Sequence, residues 1–237
     1  APGFRKNFHA RHYQYLFEQN GYSEEYKQFS YSRPLNHDVS DSMLKRINEN
    51  AHTNKYTFSS IKNIHDDVYQ KHIMHVYNES WGRIPGFKMV TLEQNKKNFK
   101  KLKPIMDKDL IWLAFENQQP VGFAIFTPEI AEHVKDFHGQ WSLFHQLKLF
   151  LRLKTRMTKK VIGLGFGIMP EHHGSGLAQL LVKTAGQYIR NNKKVEEIEL
   201  NWIGSFNQKM MALAESFDAV KSKTHMTFGK NISAETL

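Results

Sequence analysis

The chain contains no cysteine. Disulfides, thiolate metal sites and a cysteine nucleophile are thereby excluded, and stability must come from a packed core. No apolar run is long enough to span a bilayer, and no secretory leader pattern is present. These absences together predict a cytoplasmic protein. Acidic residues are missing from the whole stretch Trp141 to Arg156. Metal ligands are also scarce. His65, His72 and His75 fall close together, but no third ligand accompanies a His pair at i, i+3, so no metal is expected.

What is present is globular. Of the 237 residues, 40% are hydrophobic and 13% aromatic, enough for one large or two small domains. The formal net charge is +10 and the pI about 9.6. Such a field attracts nucleic acid, an anionic membrane or an anionic cofactor, or simply keeps a basic protein in solution.

The most informative stretch is Val161 to Ala178, VIGLGFGIMPEHHGSGLA. Alternation places Ile162, Leu164, Phe166 and Ile168 on one strand face and Val161, Gly163, Gly165 and Gly167 on the other. Pro170 ends the strand. His173-Gly174-Ser175-Gly176 then feeds an amphipathic helix opening at about Leu177, with Leu180, Leu181, Thr184, Tyr188 and Ile189 on its stripe. A glycine turn entering a helix N-terminus offers unpaired N–H groups and positive dipole potential to an anion. Three standard forms of such a site fail here. A P-loop needs a Gly-Lys-Ser/Thr run, and there is no Lys. A dinucleotide fingerprint needs a third glycine where Pro170 stands. A hydrolase elbow needs glycine where His173 stands.

The stretch resembles the acetyl-coenzyme A site of the GNAT N-acetyltransferase superfamily. There, a central strand ends in a V-x-P-like segment, and Arg/Gln-x-x-Gly-x-Gly/Ala wraps the cofactor pyrophosphate. Ile168-Met169-Pro170 matches the strand end, and His173-Gly174-Ser175-Gly176-Leu177-Ala178 matches the loop. His173 departs from the usual Arg or Gln.

The order of elements supports the resemblance. Asn7–Asn20 reads as a helix and Gln28–Arg33 as a strand. This segment, residues 1–38, resembles the tail of a preceding GNAT-like module. Residues 39–54 read as a linker with a short helix through Met43, Leu44 and Ile47. Residues 55–237 then give a strand (Tyr56–Ile61), helices over Asp66–Trp81 and Thr91–Met106, and a hairpin of Leu110–Phe115 with Val121–Phe126. An inserted helix over Trp141–Arg156 follows. It is read as packed on the domain through Leu143, Phe144, Leu147, Phe150 and Leu151, with His145, Lys148, Arg152 and Arg156 in water. After the Val161 strand and its helix come a strand (Val195–Ile203), a helix (Phe206–Phe217) and a last strand (Thr224–Phe228). The fold expected is α/β (α+β): a GNAT fold with a central mixed twisted sheet flanked by helices and a helical insertion before the acetyl-CoA-binding strand.

The resemblance implies an N-acyltransferase that moves an acetyl group from acetyl-CoA to a primary amine of a small substrate by direct attack. The protein must hold both reactants, stabilise the oxyanion and move two protons. By the family pattern, Ile168 and Met169 backbone groups pair with the pantetheine arm, and Gly167 or Ile168 supplies the oxyanion N–H. Gly174, Ser175, Gly176, Leu177 and Ala178 hold the pyrophosphate, with His173 opening the loop and Asn207 touching the cofactor. The place of the usual acid Tyr holds Ala214. Glu199 is the candidate base and Asn201 a candidate substrate contact, with Glu171 and His172 next. The alternative implied is a GNAT-fold protein that binds CoA or a partner without turnover. Nucleic acid is not an expected partner, since no known module's signature is present. Membrane contact through residues 141–160 is the remaining surface reading. The acceptor, the acyl-chain preference and the oligomeric state are left open.

Overall fold

The computed structural model describes residues 9–10, 12–36, 45, 55–83, 87–155 and 158–231. Its frame is one sheet of seven strands: β1 (Ser23–Pro34), β2 (Thr57–Ser60), β3 (Ile111–Glu116), β4 (Gln119–Pro128), β5 (Lys160–Ile168), β6 (Glu197–Gly204) and β7 (Val220–Gly229). Their order across the sheet is β2-β3-β4-β5-β6-β1-β7. All neighbours are antiparallel except β5 and β6, which run parallel. The β3–β4 hairpin turns through Asn117 and Gln118, both at positive φ, which suits the twist of the flanking strands.

The helices cover both faces. On one face lie α2 (Asp66–Trp81) and α3 (Leu92–Leu102). In α2, Tyr69, Ile73 and Val76 recur at helical spacing and bury themselves against Ile111, Leu113 and Phe123. His65 caps α2, its Nδ1 accepting from the Asp67 amide at 3.4 Å. A capping box of Thr91 and Gln94 starts α3. The other face carries α6 (Leu177–Lys193) and α7 (Gln208–Ser216). Leu177, Leu181, Ala185 and Ile189 of α6 are fully buried over Ala114, Ala124 and Val161. Met211 and Ala214 of α7 pack on Tyr31 and Ile203.

The N-terminal segment enters this sheet. After α1 (His12–Gln19), β1 pairs with β6 through Tyr31 and Leu200 and with β7 through Phe29 and Thr224. It is twice the length expected from the sequence and an interior strand, and Phe17 of α1 stacks on Phe228 at 5.0 Å. The expected linker helix at Met43, Leu44 and Ile47 lies outside the described residues.

Two expectations are corrected. The strict alternation of β5 breaks at Leu164. Opposite β4, the register passes from Ile125/Gly165 to Phe126/Gly163, so Leu164 is an extra, bulged residue. Gly163 therefore faces Leu200 and Phe126, while Gly165 and Gly167 face Phe123, on the α2 side. Phe166 and Ile168 join the α6-side core. The inserted helix α5 (Leu143–Thr155), which follows a short α4 (Ala131–Val134), is turned the other way round from expectation. Arg152 donates to both carboxylate oxygens of Asp136 and to the His133 carbonyl, and Lys148 also pairs with Asp136. Leu149 and Leu153 pack with Ile130, Phe137 and Ile105. The Leu143, Phe144, Leu147, Phe150 and Leu151 face is left in solvent. Lys148 and Arg152 turn inward because one aspartate, twelve to sixteen residues earlier, satisfies both, and Arg156 lies outside the described residues.

Candidate active site

Strands β5 and β6 pair only from Lys160/Glu197 to Gly163/Leu200. Beyond that point the ladder stops, although β5 continues to Ile168 and β6 to Gly204. The Leu164 bulge bends β5, and Trp202 in β6 sits at φ +58. A strand twisted by a bulge beside one with a left-handed residue cannot stay in register, so the sheet opens here.

The opening exposes particular backbone groups. The Met169 amide donates to Val121 O at 2.9 Å, which fixes the alternation of the β4–β5 ladder. Gly167 then bonds to Phe123, and the N–H of Ile168 points away from β4 towards the opening. Of the backbone groups expected to meet the cofactor, Gly167 and Met169 thus spend their N–H groups on the sheet, whereas Ile168 does not. The Ile168 carbonyl accepts from Nε2 of His173 at 3.2 Å. His173, in the place of the usual Arg or Gln, ties the loop back to the strand end. Trp81 of α2 donates to the Phe166 carbonyl at 3.2 Å, so the end of α2 lies along the same edge.

Next comes the loop. Gly174 and Gly176 both stand at φ +80, a region costly for any residue with a Cβ. The Ser175 amide bonds to His172 O, and the Leu177 amide to Ser175 Oγ, each at 3.3 Å. Among the described residues no acceptor meets the amides of Gly174, Gly176, Ala178 or Gln179. These four backbone donors, two of them on the first turn of α6, are left free for an anion. Ser175 and Leu177 amides are used internally, and Gln179, unread in the sequence, joins the set. Tyr56 braces the loop from below. Its hydroxyl donates to Ser175 Oγ at 3.0 Å and lies 3.0 Å from Nδ1 of His172. Burial first, then the charge of Lys55, lowers the His172 pKa.

Asn207 caps α7, its Oδ1 accepting from the Met210 amide at 3.1 Å. Ala214 is buried against Tyr31. No phenol on α7 reaches the opening, and the Tyr31 hydroxyl donates to Glu215 at 2.9 Å with its pKa pushed up to about 12, by burial and then by that carboxylate.

The structure contradicts the assignment of Glu199 as base. Its side chain is fully buried and accepts from Lys160 at 2.5 Å and from Lys223 at 2.6 and 2.7 Å. Lys160 also binds Glu197 at 2.7 Å. Burial lowers the Lys160 pKa, but the two carboxylates outweigh it and the net shift is upward. A carboxylate held between two ammonium groups is a poor proton acceptor and does not face the opening. Asn201, two residues on, accepts from Ser30 Oγ at 3.2 Å, and the same hydroxyl lies 3.0 Å from Nε2 of His225. Trp202 meets the His225 ring edge-on at 6.3 Å. This cluster was not legible in the sequence, because Ser30 and His225 stand 195 positions apart and meet only through β1. Glu171 and His172 sit in the turn after β5, on the loop side.

The acetyltransferase (GNAT) family model matches residues 71–218, which contain the bulged strand, the loop and α6. The chain belongs to the GNAT family. A bacterial ceramide synthase of Caulobacter vibrioides is 21% identical over 216 residues, covering 90% of this chain and 56% of the relative. Protein YghO of Escherichia coli is 24% identical over 160 residues, covering 66% of this chain and 41% of its own length. The chain thus spans about half the length of these curated relatives. In fold, it superposes on a GCN5-related N-acetyltransferase from Sphaerobacter thermophilus with a TM-score of 0.61, at 15% identity, over 92% of this chain and 56% of that one. A tandem GNAT protein from the clavulanic acid biosynthesis pathway gives 0.55, at 12% identity, over 96% and 60%. The family to which it belongs is one of acetyltransferases. Among the described residues no helix is long and apolar enough to cross a membrane.

Proposed function

We propose that the chain transfers an acyl group from acyl-CoA, acetyl-CoA in the simplest case, to a primary amine by direct attack. The observation that carries this reading is the opening between β5 and β6. It sets the outward N–H of Ile168 on the same strand that leads into the unpaired amides of Gly174, Gly176, Ala178 and Gln179. The loop amides take the pyrophosphate, and the free edge of β5 aligns the pantetheine arm. The Ile168 N–H faces the carbonyl oxygen as negative charge develops on it. Holding both substrates at one edge makes the attack effectively unimolecular.

His225 takes the proton from the attacking amine. It lies on β7, across β1 from β6, held by Ser30, with Asn201 and Trp202 of β6 beside it. No side chain is assigned to protonate the thiolate, which leaves readily without help. Residues 1–38 we read as descending from the tail of a preceding module whose strand is kept as β1. The name of the Caulobacter relative adds an amine-bearing lipid to the acceptors worth testing. A member that binds acyl-CoA without turnover is the second reading, favoured by the buried Glu199 and by Ala214 in place of a phenol.

The test is calorimetric titration with acetyl-CoA and with longer acyl-CoAs, followed by thiol release across short amines and a long-chain amino alcohol. Saturable binding that Gly176→Trp abolishes, with thiol release in the presence of one acceptor class, supports the transferase. Binding without thiol release from any acceptor selects the second reading. The absence of binding at millimolar acyl-CoA makes the loop a packing element only.

A further inference from the structure

We propose that the outward face of α5 is a lipid-docking surface that seats the protein on a bilayer carrying anionic headgroups. Viewed down the helix, Leu143, Phe144, Leu147, Phe150 and Leu151 fall on one side, together with Lys154. Leu143 is 83% exposed, Phe144 70%, Leu147 56%, Leu151 52% and Phe150 41%. Monomeric proteins seldom leave such a contiguous apolar face in water. The arrangement is not a loosely packed helix. Its inner side is anchored by Leu149, by the Asp136–Arg152 fork and by Lys148, and Arg152 and Lys148 also lie over the Phe137 ring. The fold holds the apolar side outward.

Charge selects the occupant. From Phe137 to Pro170 the chain has no acidic residue. Lys148 and Arg152 are held inward by Asp136, and Lys159 and Lys160 pair with Glu196, Glu197 and Glu199, which leaves Lys154 as the cation on the outward face among the described residues. Lys154 sits within the apolar face with its Nζ 4.5 Å from the Phe150 ring centroid, so its stem lies on the apolar surface and its charge stays at the rim. Trp141, 43% exposed, stands just before the helix. Aliphatic and aromatic side chains with a lysine among them, an indole at one end and a net charge of +10 match an interfacial helix on an anionic surface. A second copy of the same face would bring like charges together. The helix connects the end of β4 to the start of β5, so docking places the bilayer at the end of β5 opposite the glycine loop. The inference does not depend on the chemistry proposed above.

The experiment is vesicle flotation of the whole chain with phosphatidylcholine alone and with added phosphatidylglycerol, at low and high salt. We expect partition onto the anionic vesicles, weakened by salt, and about 10- to 100-fold weaker for Leu147→Glu. Phe144→Glu should act alike. Both positions are exposed, so thermal melting must match wild type, and a variant that melts early is replaced by the other. Absence of partition onto either vesicle overturns the proposal. So does binding by Leu147→Glu equal to wild type. A dimer that Leu147→Glu dissociates, with vesicles never bound, assigns the face to a second copy and also overturns it.

Discussion

Glu199→Gln separates a structural carboxylate from a catalytic one. The side chain accepts from two ammonium groups at 2.5 to 2.7 Å and is fully buried. Removing one partner of a fully buried ion pair costs about 3–5 kcal/mol, mostly through the charges left behind. Here the lysines keep some water, since the Lys160 side chain is 23% exposed and that of Lys223 26%. Glutamine also still accepts from one of them. We therefore expect a loss of about 2–3 kcal/mol. For a domain of this size that lowers the midpoint by roughly 5–10 °C. Urea and thermal unfolding measure the loss. Acyl transfer, assayed well below both midpoints, should keep its kcat within a few-fold. Unchanged stability with kcat reduced about a hundredfold or more would refute the reasoning and return Glu199 to the role of base.

Gly174→Ala meets no neighbouring atom but must adopt φ +80, so about 1–2 kcal/mol of strain enters the loop; the expected result is a raised KM for acyl-CoA with kcat little changed. Gly167→Ala places a methyl 2.6 Å from both Phe123 and Ser80 Oγ, and should lower stability by about 1–3 kcal/mol in urea titration. The depressed pKa of His172 makes its contribution to stability complete above the unfolded value near 6.5 and lost as pH falls through the lower folded value. Wild type should therefore lose more stability between about pH 7.5 and about pH 5 than His172→Gln does, and equal slopes would remove His172 from the account. His225→Gln should abolish the acidic limb of the kcat/KM profile while leaving acyl-CoA binding intact; an unaltered profile would end its assignment as proton acceptor.

Much of this protein was legible from local pattern. The span of α2 over Asp66–Trp81 was read to the residue from an apolar band of Val68, Ile73, Met74, Val76 and Tyr77; Ile73 and Val76 are buried as that band requires, whereas Val68 is exposed and the buried Tyr69 was not read. The glycine loop was legible as well, since Gly174 and Gly176 mark positions where only glycine turns freely. The type of the β3–β4 connection and the order of elements followed from apolar runs broken by polar turns.

What tertiary structure alone decided involves pairings distant in sequence. Alternation along β5 was read as unbroken because a bulge is a property of two strands, and Leu164 becomes the extra residue only against Ile125 and Phe126. Glu199 looked available on its own strand; Lys223, brought across β1, and Lys160, across β5, made it an internal counter-ion. Helix α5 has one apolar and one basic side in the sequence, and the period alone says nothing of which side meets the protein. Asp136, folded beneath it, pulled Arg152 and Lys148 inward and left the apolar side in water. Periodicity is a one-dimensional signal that fixes which residues share a face. The partner of that face is set by three-dimensional neighbours, and those exist only once the chain has closed on itself.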